Sequence, residues 1–462
     1  MSTSDYKSDA LKAKEKLAEV SPTMCLAKWN QVSLHLPTGM TNSCYHPPLH
    51  NIDPEKLVDN PAALHNTAEK IEQRKLMLKG ERPAGCSYCW KMEDRKEMSD
   101  RHYRSGEPWA MQDFDAIQQN PIDERWTPRY VEVNFNNACN LKCSYCSPQF
   151  STTWGKEIDR YGQYPTSPPH NAPEHFQGRR RPIPNREENP YVTAFWKWWP
   201  TLYKNLKHFR MTGGEPMMDV NTYKVFQYII DHPKPDLHLN VTSNFSPPDK
   251  KLKQKYFNMA QEICMQEKVE HMMQFVSVDA YGKKAEYIRN GLDFNYMLDN
   301  VDEFLERIPA RNSITFIITY NNLSVTSLED LLRDIKLLRE KHSHTYQRIW
   351  FDIPLLRQPS WQQVSLLPES YQEIHKANIQ YMKDYSGKEE GFDGFKDYEI
   401  QKMERNLAVW RNEKIDLTQE KKNFYAFFNE HDRRRTTRFL NTFPEMEEFW
   451  IECQNLSGVN DE

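Results

Sequence analysis

Glycine and long apolar runs are both scarce in this sequence. Only 15 of the 462 residues are glycine, about 3 % where folded proteins average about 7 %. No apolar run reaches the roughly 18 to 20 residues that a membrane-spanning helix needs, and the first 20 residues lack the apolar stretch of a secretory signal. The sequence therefore predicts a cytoplasmic protein without membrane contact, in which paired glycines mark special backbone positions.

An excess of one charge sign is also absent. The 61 basic and 65 acidic residues give a net charge of -4, which argues against a typical nucleic-acid-binding protein. Mean hydropathy is low, at -0.86, but 12 % of the residues are aromatic, and disordered chains are poor in aromatic residues. We expect a folded protein with a polar surface, whose length suggests about three domains.

Nine cysteines are present, and seven of them fall into two groups. The first group contains Cys25, Cys44, Cys86 and Cys89, and the second contains Cys139, Cys143 and Cys146. Cys264 and Cys453 lie alone in helix-like stretches, where burial without a chemical role is expected. In a reducing compartment, grouped cysteines indicate metal or redox chemistry rather than disulfides.

The pattern of the chain changes twice along its length. Residues 1–125 are rich in polar turns, with one clear helix within 61–78, and such a loop-rich module needs staples that the first cysteine group can supply. Residues 126–355 alternate short β-branched runs with helix-length segments, and residues 356–462 are charged and helical. These three ranges are the predicted domains. A proline-rich insertion at 164–190 is interpreted as a surface loop, with a flap over the substrate as the alternative.

Six candidate strands lie in the middle range. They cover 131–136, 208–212, 237–243, 275–280, 314–320 and 348–353. Spacings of 30 to 39 residues between the last five are typical of repeated strand–helix units. The pattern predicts an α/β fold in which parallel strands form a partial barrel or an open doubly wound sheet, with the functional site at the carboxyl ends of the strands.

Distinctive residues follow the first four of these strands. The loop from Cys139 to Cys146 comes directly after the first strand, and no fourth cysteine occurs in the next fifty residues. Three thiolates on one loop can bind one face of a metal or cluster and leave a position open for a small molecule.

The second strand leads into a Gly-Gly-Glu-Pro motif. A glycine pair at a strand end indicates unusual dihedrals or close approach to a ligand, although an ordinary turn is the alternative.

Together these motifs resemble the radical S-adenosylmethionine (SAM) superfamily, whose signature is CxxxCx-aromatic-C. The resemblance implies a partial (β/α)6 TIM-like barrel over about residues 128–350, in which the second cysteine group binds three irons of a [4Fe-4S] cluster and SAM binds the fourth. It also implies a set of residues that bind the cofactor: Tyr145 in the aromatic position, then Gly213, Gly214, Glu215, Pro216, Thr242, Ser243, Asn244 and Asp279.

The resemblance further implies an enzyme. In that family the reduced cluster cleaves SAM to a 5′-deoxyadenosyl radical that abstracts hydrogen from a substrate, with an electron donor such as flavodoxin or ferredoxin as partner. The SVDA stretch at 277–280 and residues 287–291 are similar to peptide-modifying members, with Ala280 in place of the usual glycine. A peptide or protein side chain is therefore the expected substrate, and a nucleoside or small metabolite is the alternative. No residue stands out as a catalytic acid or base.

The first cysteine group resembles the twitch and SPASM extensions of the same family. Thirteen residues separate Cys25 from Gly39, four separate Gly39 from Cys44, and a Cys86-x-x-Cys89 pair follows. The resemblance implies a second, auxiliary [4Fe-4S] cluster, although this segment precedes the core instead of following it. A zinc ion bound by the same four thiolates is the alternative. A more remote alternative is a non-enzymatic, zinc-stapled RNA-binding protein that uses two basic runs, Arg179-Arg180-Arg181 and Arg433-Arg434-Arg435.

Overall fold

A computed structural model describes residues 3–176, 181–387, 392–410 and 416–458 of the chain. The strands are β1 (Gln31–His35), β2 (Met40–Asn42), β3 (His50–Asn51), β4 (Tyr130–Asn134), β5 (Lys142–Cys143), β6 (His208–Thr212), β7 (Lys234–Ser243), β8 (Val269–Ser277), β9 (Arg289–Asn290), β10 (Ser313–Ile317) and β11 (Ile349–Asp352). The helices are α1 (Thr3–Ala18), α2 (Ala27–Asn30), α3 (Ala68–Leu78), α4 (Ser87–Asp94), α5 (Asp100–Gly106), α6 (Pro108–Met111), α7 (Phe114–Gln119), α8 (Thr152–Tyr161), α9 (Pro190–Asn205), α10 (Val220–Asp231), α11 (Lys250–Met265), α12 (Gly282–Ile288), α13 (Phe294–Arg307), α14 (Leu328–His342), α15 (Tyr371–Asp384), α16 (Asp397–Trp410), α17 (Thr418–Arg435), α18 (Phe439–Thr442) and α19 (Glu447–Ser457). The fold is mixed α/β, with helices around a large, mostly parallel sheet.

The six predicted strands are confirmed as β4, β6, β7, β8, β10 and β11. They are neighbours in one sheet in chain order, which continues through β1, β2 and β3 at the β4 side. The pairs β4–β6, β8–β10 and β10–β11 are parallel. A doubly wound sheet reverses its strand order at an internal point, and these six strands do not. The sequential order is that of a singly wound sheet, whereas the curvature of a partial barrel stays a prediction.

The N-terminal region contributes strands to the same sheet. Strand β1 pairs in parallel with β4, from Gln31 opposite Tyr130 to His35 opposite Asn134. Strand β2 returns antiparallel to β1 through a turn in which Gly39 has φ +61°. A β-carbon on Gly39 would lie 2.1 Å from the Tyr191 ring, so the turn and this contact both require glycine.

This region also contains more helix than the single one predicted. Among the described residues before β4 there are seven helices, α1 to α7, and five of them have only four to eight residues. Helices this short have little intrinsic stability and depend on tertiary packing. Composition and periodicity therefore do not reveal them.

The chain divides into two compact units. The first contains residues 1–137, 178–213 and 236–240, and the second contains 138–177, 214–235 and 241–462. The first cysteine group belongs to the first unit and the second group to the second unit. The predicted domain boundaries near 125 and 355 stay predictions. Within the part of the chain that the structure describes, no helix has both the length and the apolar character to cross a membrane.

The second unit ends in the predicted helical region, where α15 to α19 lie. The start of the 164–190 insertion packs against this region, because Tyr164 is fully buried and stacks on Phe427 of α17 at 4.5 Å between ring centroids. Asn423 bonds both backbone groups of Ser167, at 2.8 and 2.9 Å. Tyr164 and Thr166 are therefore buried, whereas residues 165 and 167–169 are exposed, and the interpretation of the whole insertion as a surface loop stays a prediction. Arg179 and Arg180 lie outside the described residues.

Candidate functional site

The second cysteine group lies on a short, tightly hydrogen-bonded loop. Cys143 belongs to β5, which pairs antiparallel with β9. The Cys146 amide donates to the Cys143 carbonyl at 2.9 Å, and the Leu141 amide donates to the Sγ of Cys139 at 3.4 Å. All three thiols belong to half-buried residues. The loop thus carries three potential soft ligands, although among the described residues no group of three or more His, Cys, Asp or Glu side chains is arranged around one metal ion.

The thiols of this loop influence one another electrostatically. Burial raises the pKa of Cys139, and Cys143, Glu215 and Cys146 raise it further. Burial also raises the pKa of Cys146 to about 12, with a further contribution from Cys143. Repulsion between the negative charges of these groups thus adds to the effect of burial. A metal that binds here must displace thiol protons, so its affinity increases with pH.

Glu215 connects the Gly-Gly-Glu-Pro motif to the end of β7. Its Oε1 accepts hydrogen bonds from the Ser243 hydroxyl at 2.6 Å and the Met217 amide at 3.0 Å, and its Oε2 accepts one from the Asn244 amide at 2.8 Å. Burial raises the pKa of Glu215, while these three hydrogen bonds lower it. The Asn244 side chain donates to the Asn140 side chain at 2.9 Å. The motif, the strand end and the cysteine loop therefore form one polar network.

The remaining residues of these two motifs lie at the same strand ends. Pro216 begins a short 3-10 helix, Pro216–Met218, that the Glu215 side chain caps. Gly214 and Thr242 are half-buried. In the first unit, Gly213 has φ +111°, and a β-carbon there would lie 2.0 Å from the Oδ1 of Asn134. The glycine at the start of the motif is therefore required by both backbone conformation and packing.

Asp279 and Tyr145 contact each other and a buried arginine. The Tyr145 hydroxyl donates to Asp279 Oδ2 at 2.7 Å, and Arg289 Nη2 donates to Asp279 Oδ1 at 3.0 Å and to the Tyr145 hydroxyl at 2.7 Å. The Thr319 amide donates to Asp279 Oδ1 at 3.0 Å. Both oxygens of Asp279 are therefore occupied by protein groups. Arg289 Nη1 also donates to the Sγ of Cys143 at 3.7 Å, so this network orients a thiol of the cysteine loop.

Helices α8 and α17 support the same loop from behind. The Glu157 carboxylate of α8 accepts from Lys142 Nζ at 2.6 Å and from the Tyr164 hydroxyl at 2.6 Å. It also pairs with Arg435 of α17 at 3.2 Å. Arg435 donates in addition to the Lys142 carbonyl at 2.9 Å, and the Asn171 side chain donates to the Cys146 carbonyl at 3.1 Å. The backbone of the cysteine loop is thus anchored at both ends.

Two of the arginines assigned to RNA in the remote alternative are engaged inside the protein. Arg435 makes the contacts above, and Arg434 donates to the carbonyls of Gly162 and Gln163, each at 2.9 Å. Only Arg433 of this run is largely exposed, and it pairs with Glu430. The run at the end of α17 therefore connects parts of the second unit instead of forming a free basic patch.

The first cysteine group forms a cavity in the first unit. All four thiols line it, together with Lys28, Tyr45, Met77 and other side chains. Cys25, Cys86 and Cys89 are 7 to 8 % exposed and belong to a core cluster with Trp29 and Trp90, while Cys44 is half-buried. Three sequence segments that are distant along the chain thus bring four soft ligands together inside an apolar shell.

Burial dominates the electrostatics of this cavity. It raises the pKa of Cys25 to about 11, with contributions from Cys44 and Cys86, and that of Cys89 to about 12. A single zinc ion needs its ligands about 2.3 Å from one point. Among the described residues, no group of three or more His, Cys, Asp or Glu side chains is arranged to hold one metal ion. Four thiolates can serve as ligands of an iron–sulfur cluster or of a zinc ion, and the choice between the two stays a prediction.

Sequence patterns alone missed several residues that complete these sites. Arg289 is isolated in the sequence, and Arg435 lies in a basic run. Arginines in such positions are usually exposed. Asn140 and Asn171 belong to loops with many polar residues. Lys28 lies between a cysteine and a strand without a recognisable motif. One sequence signal for the contact between Arg289 and Asp279 was available. Arg289 lies ten residues after Asp279, on the segment that returns to the end of the strand.

No protein-family model matches the chain, and no curated protein was found that matches it. A functional assignment therefore depends on the motifs and on the geometry described above. The fold adds only the expectation that a functional site lies at the ends of strands in the mostly parallel sheet.

Proposed function

We propose that this protein is a radical SAM enzyme with an additional iron–sulfur cluster in its N-terminal region. The observation that carries the proposal is the network of the cysteine loop, Glu215, Ser243 and Asn244. Three motifs that are separate in the sequence meet through hydrogen bonds of 2.6 to 2.9 Å. If the three motifs were ordinary turns without a shared function, no buried carboxylate would be needed to connect them.

The residues of the second unit suit a [4Fe-4S] cluster with one open iron. Cys139, Cys143 and Cys146 supply three thiolates from one loop, and clusters of this type are bound by cysteine thiolates. With SAM bound, the reduced cluster would supply a carbon radical that removes a hydrogen atom from the substrate. The Gly-Gly-Glu-Pro motif and the end of β7, which the hydrogen bonds of Glu215 hold together, would bind the polar groups of SAM. Arg289 would donate a hydrogen bond to the Cys143 thiolate.

Asp279 has a different role in this proposal from direct contact with SAM. Its two oxygens accept hydrogen bonds from Arg289, Tyr145 and Thr319, which leaves little capacity for a ligand. We therefore assign Asp279 and Tyr145 to holding Arg289 against Cys143. The substrate class, a peptide or protein side chain, follows from the family resemblance of residues 277–291.

Anaerobic reconstitution with iron and sulfide tests the proposal. The wild-type protein should bind about eight irons, four for each cluster, and release 5′-deoxyadenosine from SAM under reducing conditions. The Cys143→Ala variant should keep about four irons and release no 5′-deoxyadenosine. Cys264→Ala is the matched control, because Cys264 is buried and outside both groups, and it should behave like wild type.

Two results would contradict the proposal at different points. A wild-type protein with an intact cluster and no cleavage of SAM would exclude this chemistry. Full iron content in Cys143→Ala would show that the cysteine loop is not the cluster site. A colourless protein with two zinc ions would favour the zinc-stapled alternative.

A further inference from the structure

Three basic side chains are buried near the N-terminal cysteine cavity. Lys28 is 2 % exposed, and Lys70 and Arg74 are fully buried. The Lys28 ammonium donates to the Ser43 hydroxyl and to the Gln73 side-chain oxygen, both at 2.7 Å. These acceptors are neutral, so the charge of Lys28 is not balanced by them.

Among the described residues, Lys70 and Arg74 also form hydrogen bonds only with neutral groups, while Asp123 acts on Arg74 electrostatically without a hydrogen bond. Lys70 donates to the Gln31 carbonyl at 2.9 Å and contacts a ring nitrogen of His65 at 2.8 Å. Arg74 contacts the other ring nitrogen of His65 at 3.0 Å and donates to the Lys28 carbonyl at 3.2 Å. A buried charge is costly unless an opposite charge or a metal centre compensates it. Three such charges in one region require a common explanation.

The carboxylates around the cavity are already paired with other groups. Asp100 contacts His46 at 2.6 Å, and Glu93 pairs with Arg101 at 2.7 Å. Among the residues that the structure describes, neither carboxylate forms an ion pair with Lys28. The wall of the cavity therefore carries excess positive charge when the four cysteines are protonated thiols.

A four-thiolate metal centre would remove this imbalance. Four thiolates around a zinc ion or an iron–sulfur core carry net negative charge, and Lys28 lines the cavity beside them. The ammonium group has three N–H donors, of which two have acceptors among the described residues. One donor of Lys28 is thus available for a ligand sulfur.

We propose that Lys28, supported by Lys70 and Arg74, is the counter-ion of an anionic four-thiolate metal centre in the N-terminal cavity. The inference rests on the second metal centre of the proposed function. Nearby positive charge and N–H···S hydrogen bonds favour the reduced, more negative form of an iron–sulfur cluster. Lys28 therefore raises the reduction potential of this centre and acts through the ligands as a positioning residue.

The test uses the full chain with its second cysteine group removed. The Cys139→Ala/Cys143→Ala/Cys146→Ala variant restricts metal binding to the N-terminal cavity and serves as the parent. In this parent, Lys28→Met removes the charge, Lys28→Gln keeps a donor without the charge, and Lys28→Arg keeps the charge. Affinity is measured with Co²⁺, whose thiolate charge-transfer absorption reports ligation, and the potential of the reconstituted iron cluster is measured by an EPR-monitored redox titration.

We expect Lys28→Met and Lys28→Gln to bind Co²⁺ about 10- to 100-fold more weakly, as is typical when a partner of metal ligands is removed. Their cluster potentials should be more negative than that of the parent, and Lys28→Arg should stay close to the parent. Without metal, Lys28→Met should unfold at the same or higher urea concentration, because it loses an uncompensated buried charge. This result would show that the weaker binding of Co²⁺ does not come from misfolding of the variant.

Parent-like affinity and potential in both uncharged variants would overturn the role of Lys28. Failure of the parent to bind either Co²⁺ or iron would instead overturn the second metal centre itself. Binding of Co²⁺ without assembly of an iron cluster would identify a zinc-type site, and the affinities would still decide the role of Lys28.

Discussion

Gly213 occupies a position that excludes a β-carbon for two independent reasons. Its φ of +111° is unfavourable for other residues, and a β-carbon would lie 2.0 Å from the Asn134 side chain. Gly213→Ala should therefore destabilise the protein by more than about 1 kcal/mol. Urea unfolding of the apoprotein measures this change without any metal.

Gly155 provides the matched control for this substitution. It lies inside α8, and a β-carbon there would meet no atom within 4 Å. Gly155→Ala should stabilise the protein by roughly 0.5 to 1 kcal/mol, because alanine favours helix more than glycine does. Equal effects of the two substitutions would contradict the strain assigned to Gly213.

The difference between predicted and unpredicted site residues is one of sequence distance. Cys139, Cys143, Cys146 and Glu215 were predicted because each belongs to a compact motif at the end of a strand. Arg289 contacts Cys143 across 146 positions of sequence, and no local pattern reports such a contact. The role proposed above for Asp279 likewise depends on partners that are visible only in the folded chain.

At the scale of elements, Glu157 makes the junction between α8, α17 and the cysteine loop sensitive to acid. Burial raises the pKa of Glu157, but Arg435, Lys142 and Tyr164 outweigh it and lower the pKa to about 2 from 4.5. A carboxylate whose pKa is lowered by folding stabilises the fold at pH values above its pKa in the unfolded state. This contribution is lost as the pH falls towards its pKa in the folded state. The shift corresponds to about 3 kcal/mol.

We therefore expect Glu157→Gln to lower the free energy of unfolding near neutral pH, with a difference from wild type that shrinks between about pH 4.5 and pH 2. Urea unfolding at a series of pH values measures it. Glu19→Gln is the control, because Glu19 forms an exposed pair with Lys16 and such pairs contribute little. A constant difference for Glu157→Gln across this range would contradict the assignment.

Strands were easier to predict than the short helices. Each of the six strands contains β-branched or aromatic residues within a short run, and their sequential order follows from short crossover connections. The short helices of the N-terminal region and the burial of residue 164 depend on partners elsewhere in the chain. The pairing of β1 with β4 crosses nearly one hundred residues of sequence and was not visible locally.

At the scale of the whole molecule, the N-terminal region is not a detachable module. Strand β1 covers the edge of β4 along five residue pairs. A chain that starts at residue 126 would expose that edge, and exposed edges promote pairing between molecules. We expect this truncated chain to aggregate, as measured by light scattering after purification at low concentration.

A variant with serine at all four N-terminal cysteines separates two causes of such aggregation. It lacks the proposed metal ligands but keeps β1, so it should stay monomeric. Aggregation of this variant to the same extent would assign the effect to the lost thiols. A monomeric truncated chain would show that β1 is dispensable.

The contacts between α17 and the cysteine loop also determine when the loop can mature during protein synthesis. Arg435 bonds to the Lys142 carbonyl across 293 residues. At about 5 to 20 residues per second, the ribosome needs roughly 15 to 60 seconds to reach Arg435 after Lys142 has been added. During that interval the loop can contact α8 but lacks the support of α17. If the loop binds the proposed cluster, iron delivery is expected to follow the synthesis of α17, and growing chains are expected to carry these cysteines without metal.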